Sequence, residues 1–202
     1  MSVKGYATIN SPFARKARIA AIETGQPGLI DWQMMSREER AEQIPAINPL
    51  GKVPVVVLES GAALYDSPVI CAWIDSTNSG VKLIPESGAE KWAALQLEAL
   101  GDGMGEVIVP LSQELDKPED ARSAAVLKRL SGKLTNALAA LDGQAVDFRD
   151  PPGIGEIAVV CAMGYMEFRK IDPDWRNAYP ALGVWYDEIN KRPAFADSAP
   201  VS

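Results

Sequence analysis

The hydrophobic positions of this chain keep two different periods, and the change between them divides it. Up to about residue 78, short β-branched and apolar runs alternate with helical stretches, the pattern of a mixed α/β unit. Residues 6–9 read as a first strand and 12–24 as a helix, closed by Gly25 with Pro27 just beyond. In 29–34, Ile30, Trp32 and Met34 alternate with Asp31 and Gln33, predicting a strand with one buried and one wet face. A short charged helix or turn, 37–43, leads into a loop at 47–52. The run 53–58, the turn Glu59-Ser60-Gly61 and the return 62–65 predict a hairpin, and 68–76 a helix.

Beyond Asn78-Ser79-Gly80 the strand signals stop. Residues 90–115 are helical in pattern but interrupted by Gly101, Gly103, Gly105 and Pro110, which cost helix stability and predict a bend or a close backbone approach. A helix from Pro118 carries Leu127, Leu130, Leu134, Leu138 and Leu141 as one apolar stripe. A loop at 142–152 follows. Residues 154–168 are apolar almost all round, the pattern of a buried central helix, and 180–191 form a last amphipathic helix stopped at Arg192-Pro193. The expected division is 1–78, a linker at 79–88, and an all-helical domain at 89–202.

Composition narrows the chemistry. The chain has 202 residues, 47% hydrophobic and 23% charged, with a net charge of -7 and no basic block, which argues against nucleic acid as a partner. No secretory signal opens it and its longest apolar run, 157–166, is too short to span a bilayer, so a cytoplasmic protein with no membrane partner is expected. Cys71 and Cys161 lie inside apolar helical sequence and read as reduced core thiols. There is no histidine, which excludes a Ser-His-Asp hydrolase, a histidine base and nearly all zinc hydrolase sites; no metal is expected.

What remains is two similar helix openings. At Ile9-Asn10-Ser11-Pro12 a strand runs into a helix with Ser11 as N-cap and Pro12 first in the helix, and Asp66-Ser67-Pro68 repeats the arrangement. Each directs free backbone NH groups and a positive dipole end outward, where an anion is the natural guest. For Arg15 and Lys16, on the first of these helices, a solvated helix face is expected.

Several segments, taken in order, resemble the cytosolic glutathione S-transferase superfamily over nearly the whole length. They are Ser11-Pro12-Phe13 with Arg15 to Arg18, Asn48-Pro49-Leu50-Gly51-Lys52-Val53-Pro54, Asp66-Ser67-Pro68-Val69-Ile70, Asp102-Gly103, and Tyr179-Pro180-Ala181-Leu182 with Arg192-Pro193. The resemblance implies a thioredoxin-like βαβ-ββα domain followed by an all-α helical bundle. It implies glutathione as co-substrate, a small hydrophobic electrophile as second substrate, a role in detoxification, and a homodimer.

In that family pattern Ser11 would hold the glutathione thiolate, with the Asn10 amide as the alternative donor. Serine where thiol-reducing relatives carry cysteine counts against disulfide exchange. Val53-Pro54 would carry a cis bond that turns the Val53 backbone toward the peptide. Asp66 and Ser67 would bind the γ-glutamyl end, Asp102 would reach its ammonium across a dimer, and Lys52 would add a donor. Phe13 would border the ligand, and the second substrate would lie against Met104 and Val107. One departure is visible: the buried helix opens with Gly153 where relatives place serine or threonine, although Glu156 can still reach back to a backbone NH. Two other functions stay open, a non-catalytic binding or regulatory protein and a dedicated glutathione-dependent isomerase, dehalogenase or ether-cleaving lyase.

Overall fold

A computed structural model describes residues 2–145 and 148–201. Its strands are β1 (Val3–Ala7), β2 (Ile30–Met34), β3 (Val55–Val57) and β4 (Ala63–Leu64), in sheet order β2-β1-β3-β4. β1 runs parallel to β2, from Val3↔Ile30 to Ala7↔Met34, and β3 is antiparallel to both β1 and β4. Helices α1 (Pro12–Glu23), α2 (Arg37–Gln43) and α3 (Ser67–Thr77) complete this thioredoxin-like half. Gly25 adopts φ +73 past the end of α1, the left-handed conformation expected of a glycine stop. Along β2 the alternation fades: Ile30 is buried, Trp32 partly so, and Met34 exposed, because β2 is a sheet edge.

The second half is helical: α4 (Gly88–Leu115), α5 (Ala124–Asp142), α6 (Ile154–Phe168), α7 (Trp175–Ala178), α8 (Pro180–Ile189) and α9 (Pro193–Ala196). α6 packs against both α4 and α1, and it is buried at nearly every position, as its all-round apolar pattern predicts. The Glu156 carboxylate accepts from Gly153 N at 2.9 Å and from Arg149 N at 3.0 Å, so it reaches back to the N-cap NH as expected. Of the expected loop at 142–152, Val146 and Asp147 lie outside the described residues, and Asp142 closes α5. No helix among the described residues is long and apolar enough to cross a membrane.

Of the two alternatives expected at the glycines of α4, a bend or a close backbone approach, the close approach is found at Gly101, and two other expectations are corrected. α4 is one continuous helix through its glycines. A Cβ on Gly101 would stand 2.6 Å from the Ala158 and Val159 backbone, so that glycine lets α4 and α6 touch. The helix expected from Pro118 begins at Ala124: a 3-10 turn (Glu119–Ala121) intervenes and Ser123 supplies the cap. Arg15 and Lys16 are not solvated. α1 is packed by α3 on one side and α6 on another, leaving those positions no access to water. Arg15 donates to Phe195 O at 3.0 Å and Ser198 Oγ at 3.2 Å, tying α1 to the C-terminal segment.

Candidate functional site

A cleft opens where the start of α1, the loop before β3 and the start of α3 face α4 and the end of α6. Ser11 stands on its sheet-side wall. Its Oγ accepts from Ala14 N at 3.2 Å, which caps α1 and leaves the hydroxyl proton free to donate. The neighbouring Asn10 amide is engaged: Nδ2 donates to Val201 O at 2.8 Å and Oδ1 accepts from Val201 N at 3.0 Å.

The α3 opening differs from the expected second N-cap. Asp66 flanks the helix and Ser67 is already its first residue, so the Ser67 hydroxyl is not a cap; both residues line the cleft. Between the two openings, Asn48 shapes the loop by donating to Lys52 O at 2.9 Å and accepting from Leu50 N at 3.0 Å. That clamp presents Lys52 and the Val53-Pro54 bond, which is cis, to the cleft. Arg37 and Arg40 of α2 line the same end, and Arg40 Nε is the only buried side-chain nitrogen or oxygen without a hydrogen-bond partner among the described residues.

Beside the cleft lies a buried ion cluster. Lys16 Nζ sits 2.9 Å from Glu98 and 2.5 Å from Asp102, joining α1 to α4. Burial works against the Lys16 ammonium, yet the adjoining Cys71, Asp102 and Glu98 outweigh it and hold its pKa above the ordinary lysine range. Cys71 is itself a thiol pushed up by burial, hence neutral, and the two carboxylates carry the pairing. Burial likewise pushes the Asp102 carboxyl up, and Lys16 pulls it only part of the way back. Asp102 alone of the three reaches the cleft wall. The Cys161 thiol is pushed up to about 11 by burial, so neither cysteine is a nucleophile here.

The opposite wall follows from the continuity of α4. With 3.6 residues per turn, Asp102, Glu106, Val109, Gln113 and Asp116 share the face toward the cleft. Met104, expected to border the second substrate, falls instead on the core face and is buried. Val107 faces a separate groove toward α5, beside Gly103 and Leu130. Phe13 does line the cleft, and its ring lies 2.9 Å from where a Cβ on Gly105 would be. From α6 come Tyr165 and Phe168, with ring centroids 6.1 Å apart, and the helix-terminal Arg169, which pairs with Asp116.

Sequence reasoning thus missed Lys16, Glu98, Arg40 and Arg169. For Lys16 a signal existed: positions 14–17 lie among buried alanines and isoleucine on a helix covered on two sides.

Comparisons with known proteins bear on the family and the fold. A family model described as "Glutathione S-transferase, N-terminal domain" matches residues 10–77. A curated relative, an uncharacterized GST-like protein of Escherichia coli, is 31% identical over 195 residues, 94% of this chain and 95% of that protein. A glutathione transferase family member from Pseudomonas fluorescens, solved with bound glutathione, superposes with a TM-score of 0.91 at 33% identity and full coverage of both chains. The same family member solved with S-(propanoic acid)-glutathione gives a TM-score of 0.88 at 33% identity, covering 99% of this chain and 100% of that one.

Proposed function

The chain belongs to the glutathione S-transferase family, and from that premise we propose that it binds glutathione in this cleft and joins its sulfur to a small electrophile, with Ser11 holding the thiolate. A free thiol near pKa 8.5 needs a shift of about two units, or about 3 kcal/mol, to be ionised at neutral pH. A hydroxyl donating to an anion contributes about 1.5–3 kcal/mol and a helix N-terminus about 0.3–1. Ser11 at the head of α1 has both, and its capping geometry is the observation that carries the reading. Serine is not the nucleophile, since the chain has no histidine to deprotonate it.

The rest of the peptide has matching partners. The ammonium meets Asp66 and Asp102, the γ-glutamyl carboxylate meets Ser67 and the NH groups of α3, and the Val53 backbone can pair with the extended peptide. The far carboxylate meets Lys52 and Arg40. Asp102 serves this ligand from within one chain, because it lines the same cleft as Ser67. We assign the homodimer of the family to the exposed Val69 of α3 and Trp92 of α4.

In the reaction, the thiol proton leaves to solvent and the sulfur lone pair forms a bond to the electrophilic carbon. The displaced electron pair departs with a leaving group or shifts along the substrate. The relative solved with S-(propanoic acid)-glutathione supports a product built on the sulfur. Ultraviolet titration of bound glutathione tests the proposal. In wild type the thiol should ionise about two units below the free value, and Ser11→Ala should return it most of the way. Absence of glutathione binding overturns the reading; binding with an unshifted thiol makes the chain a binding protein.

A further inference from the structure

Asn10 stands beside Ser11 in the cleft wall, yet both ends of its amide are taken by a residue 191 positions away. Nδ2 donates to Val201 O at 2.8 Å and Oδ1 accepts from Val201 N at 3.0 Å, so the amide pairs with both backbone groups of one residue, as a neighbouring strand would. One helical turn beyond Ser11, Arg15 holds the same segment at Phe195 O and at the buried Ser198 Oγ. Residues 195–201 are therefore fastened on either side of Ser11. Between the two fastenings Ser11 sits in a turn closed by its own N–H, which donates to Thr8 O at 3.2 Å. Residues 10 and 11 share a rigid peptide plane, so a rotation at Asn10 reorients the Ser11 Oγ against α1. Among the described residues, none beyond Arg169 lines the cleft, and the segment acts on a ligand there through α1 and its entry turn.

Resting on the reading of Ser11 as the thiolate donor, we propose that Asn10 is a positioning residue: paired with Val201, it holds Ser11 at the angle from which one hydroxyl both caps α1 and donates to the sulfur. Residues 195–201 are thereby a strap that sets the site from outside it. Val201 is 55% exposed, so its two bonds to Asn10 compete with water and add little to global stability. Their loss is read at the sulfur, not in unfolding.

Val201→Pro tests this without altering the cleft lining or its charge, because it removes the N–H that the Asn10 amide accepts. Glutathione bound to this variant should ionise about half a unit to one unit higher than in wild type, the span of one lost hydrogen bond. Asn10→Ala should give a shift of the same size, and the double variant no more than either alone. S-methylglutathione, whose thioether is uncharged and a weak acceptor, should bind all three variants as it binds wild type. A further measurement needs no ligand: amide exchange at Ala14, the NH that Ser11 caps, should be about threefold to tenfold faster in Val201→Pro. An unshifted thiol, or unchanged exchange at Ala14, overturns the inference and leaves Ser11 as the donor. A thiol that ionises lower in Val201→Pro also overturns it, by making the released Asn10 amide the donor that Val201 holds back. Equal weakening of glutathione and S-methylglutathione gives the strap a structural role alone and overturns it too. Failure of wild type to bind glutathione removes the premise and the inference together.

Discussion

The cleft has an ion cluster at its base and an ion pair at its mouth, and they differ in little except access to water. At the base, Lys16 is held between Glu98 and Asp102 with its side chain 1% exposed. At the mouth, Arg169 meets Asp116, which is 63% exposed. Both link α4 to a neighbouring helix. The buried cluster has no solvent to fall back on, so its members keep one arrangement and Asp102 is presented to the cleft from a fixed position. The pair at the mouth can open, because each partner regains water on separating. Similar charges thus make a rigid support in one place and an exchangeable one in the other.

The largest effect expected from breaking this contrast is Lys16→Met. It leaves two carboxylates buried without their cation, and removing one member of a buried pair costs about 3–5 kcal/mol. Urea unfolding measures this, and adding Asp102→Asn should recover a substantial part. Gly101→Ala separates geometry from charge. It places a Cβ 2.6 Å from the α6 backbone and pushes α4 away on the turn between Glu98 and Asp102. Overpacking of this kind costs about 1–3 kcal/mol. A stability loss with glutathione affinity unchanged would mean that the cluster need not be fixed by the α4–α6 contact.

The difference also explains what could be read from the sequence. The two halves were legible because a period near two gives way to one near 3.6, and Ser11-Pro12 is a cap signal independent of tertiary context. The cis bond at Val53-Pro54 came through family resemblance, not through any local pattern. Lys16 was misread because a charged residue counts as surface until its partner is known, and Glu98 lies 82 positions away. The same helix exposes Ile22 while burying Lys16, so polarity misleads there in both directions. Met104 and Val107 were placed in the cleft on the premise of an interrupted helix. Once α4 is continuous, the 100° step per residue turns one into the core and the other toward α5.

A third prediction concerns pH. The carboxyl of Asp102 titrates above its ordinary range because burial disfavours its charge. As pH falls from neutral through that raised value, Asp102 becomes neutral and the ligand ammonium loses a partner, so glutathione affinity should weaken. Stability moves the other way at this step: a carboxyl with a higher pKa folded than unfolded takes up its proton first in the folded state, which favours folding. Calorimetry across pH should show affinity falling in wild type, and about tenfold weaker but flatter binding in Asp102→Asn, near the low end of a charge-assisted hydrogen bond. Parallel loss of affinity and stability would remove Asp102 from the ligand contact.

The smallest effect belongs to the pair at the mouth. Asp116→Asn should change stability by less than about 1 kcal/mol, since an exposed pair gains little and is screened further by salt. Raising the salt concentration should erase even that difference, whereas the loss in Lys16→Met should persist because no salt reaches the buried cluster. Unfolding of both variants at low and high salt therefore reads burial directly. If Asp116→Asn proved as costly as Lys16→Met, or if salt abolished both losses alike, access to water would not be what separates the two sites.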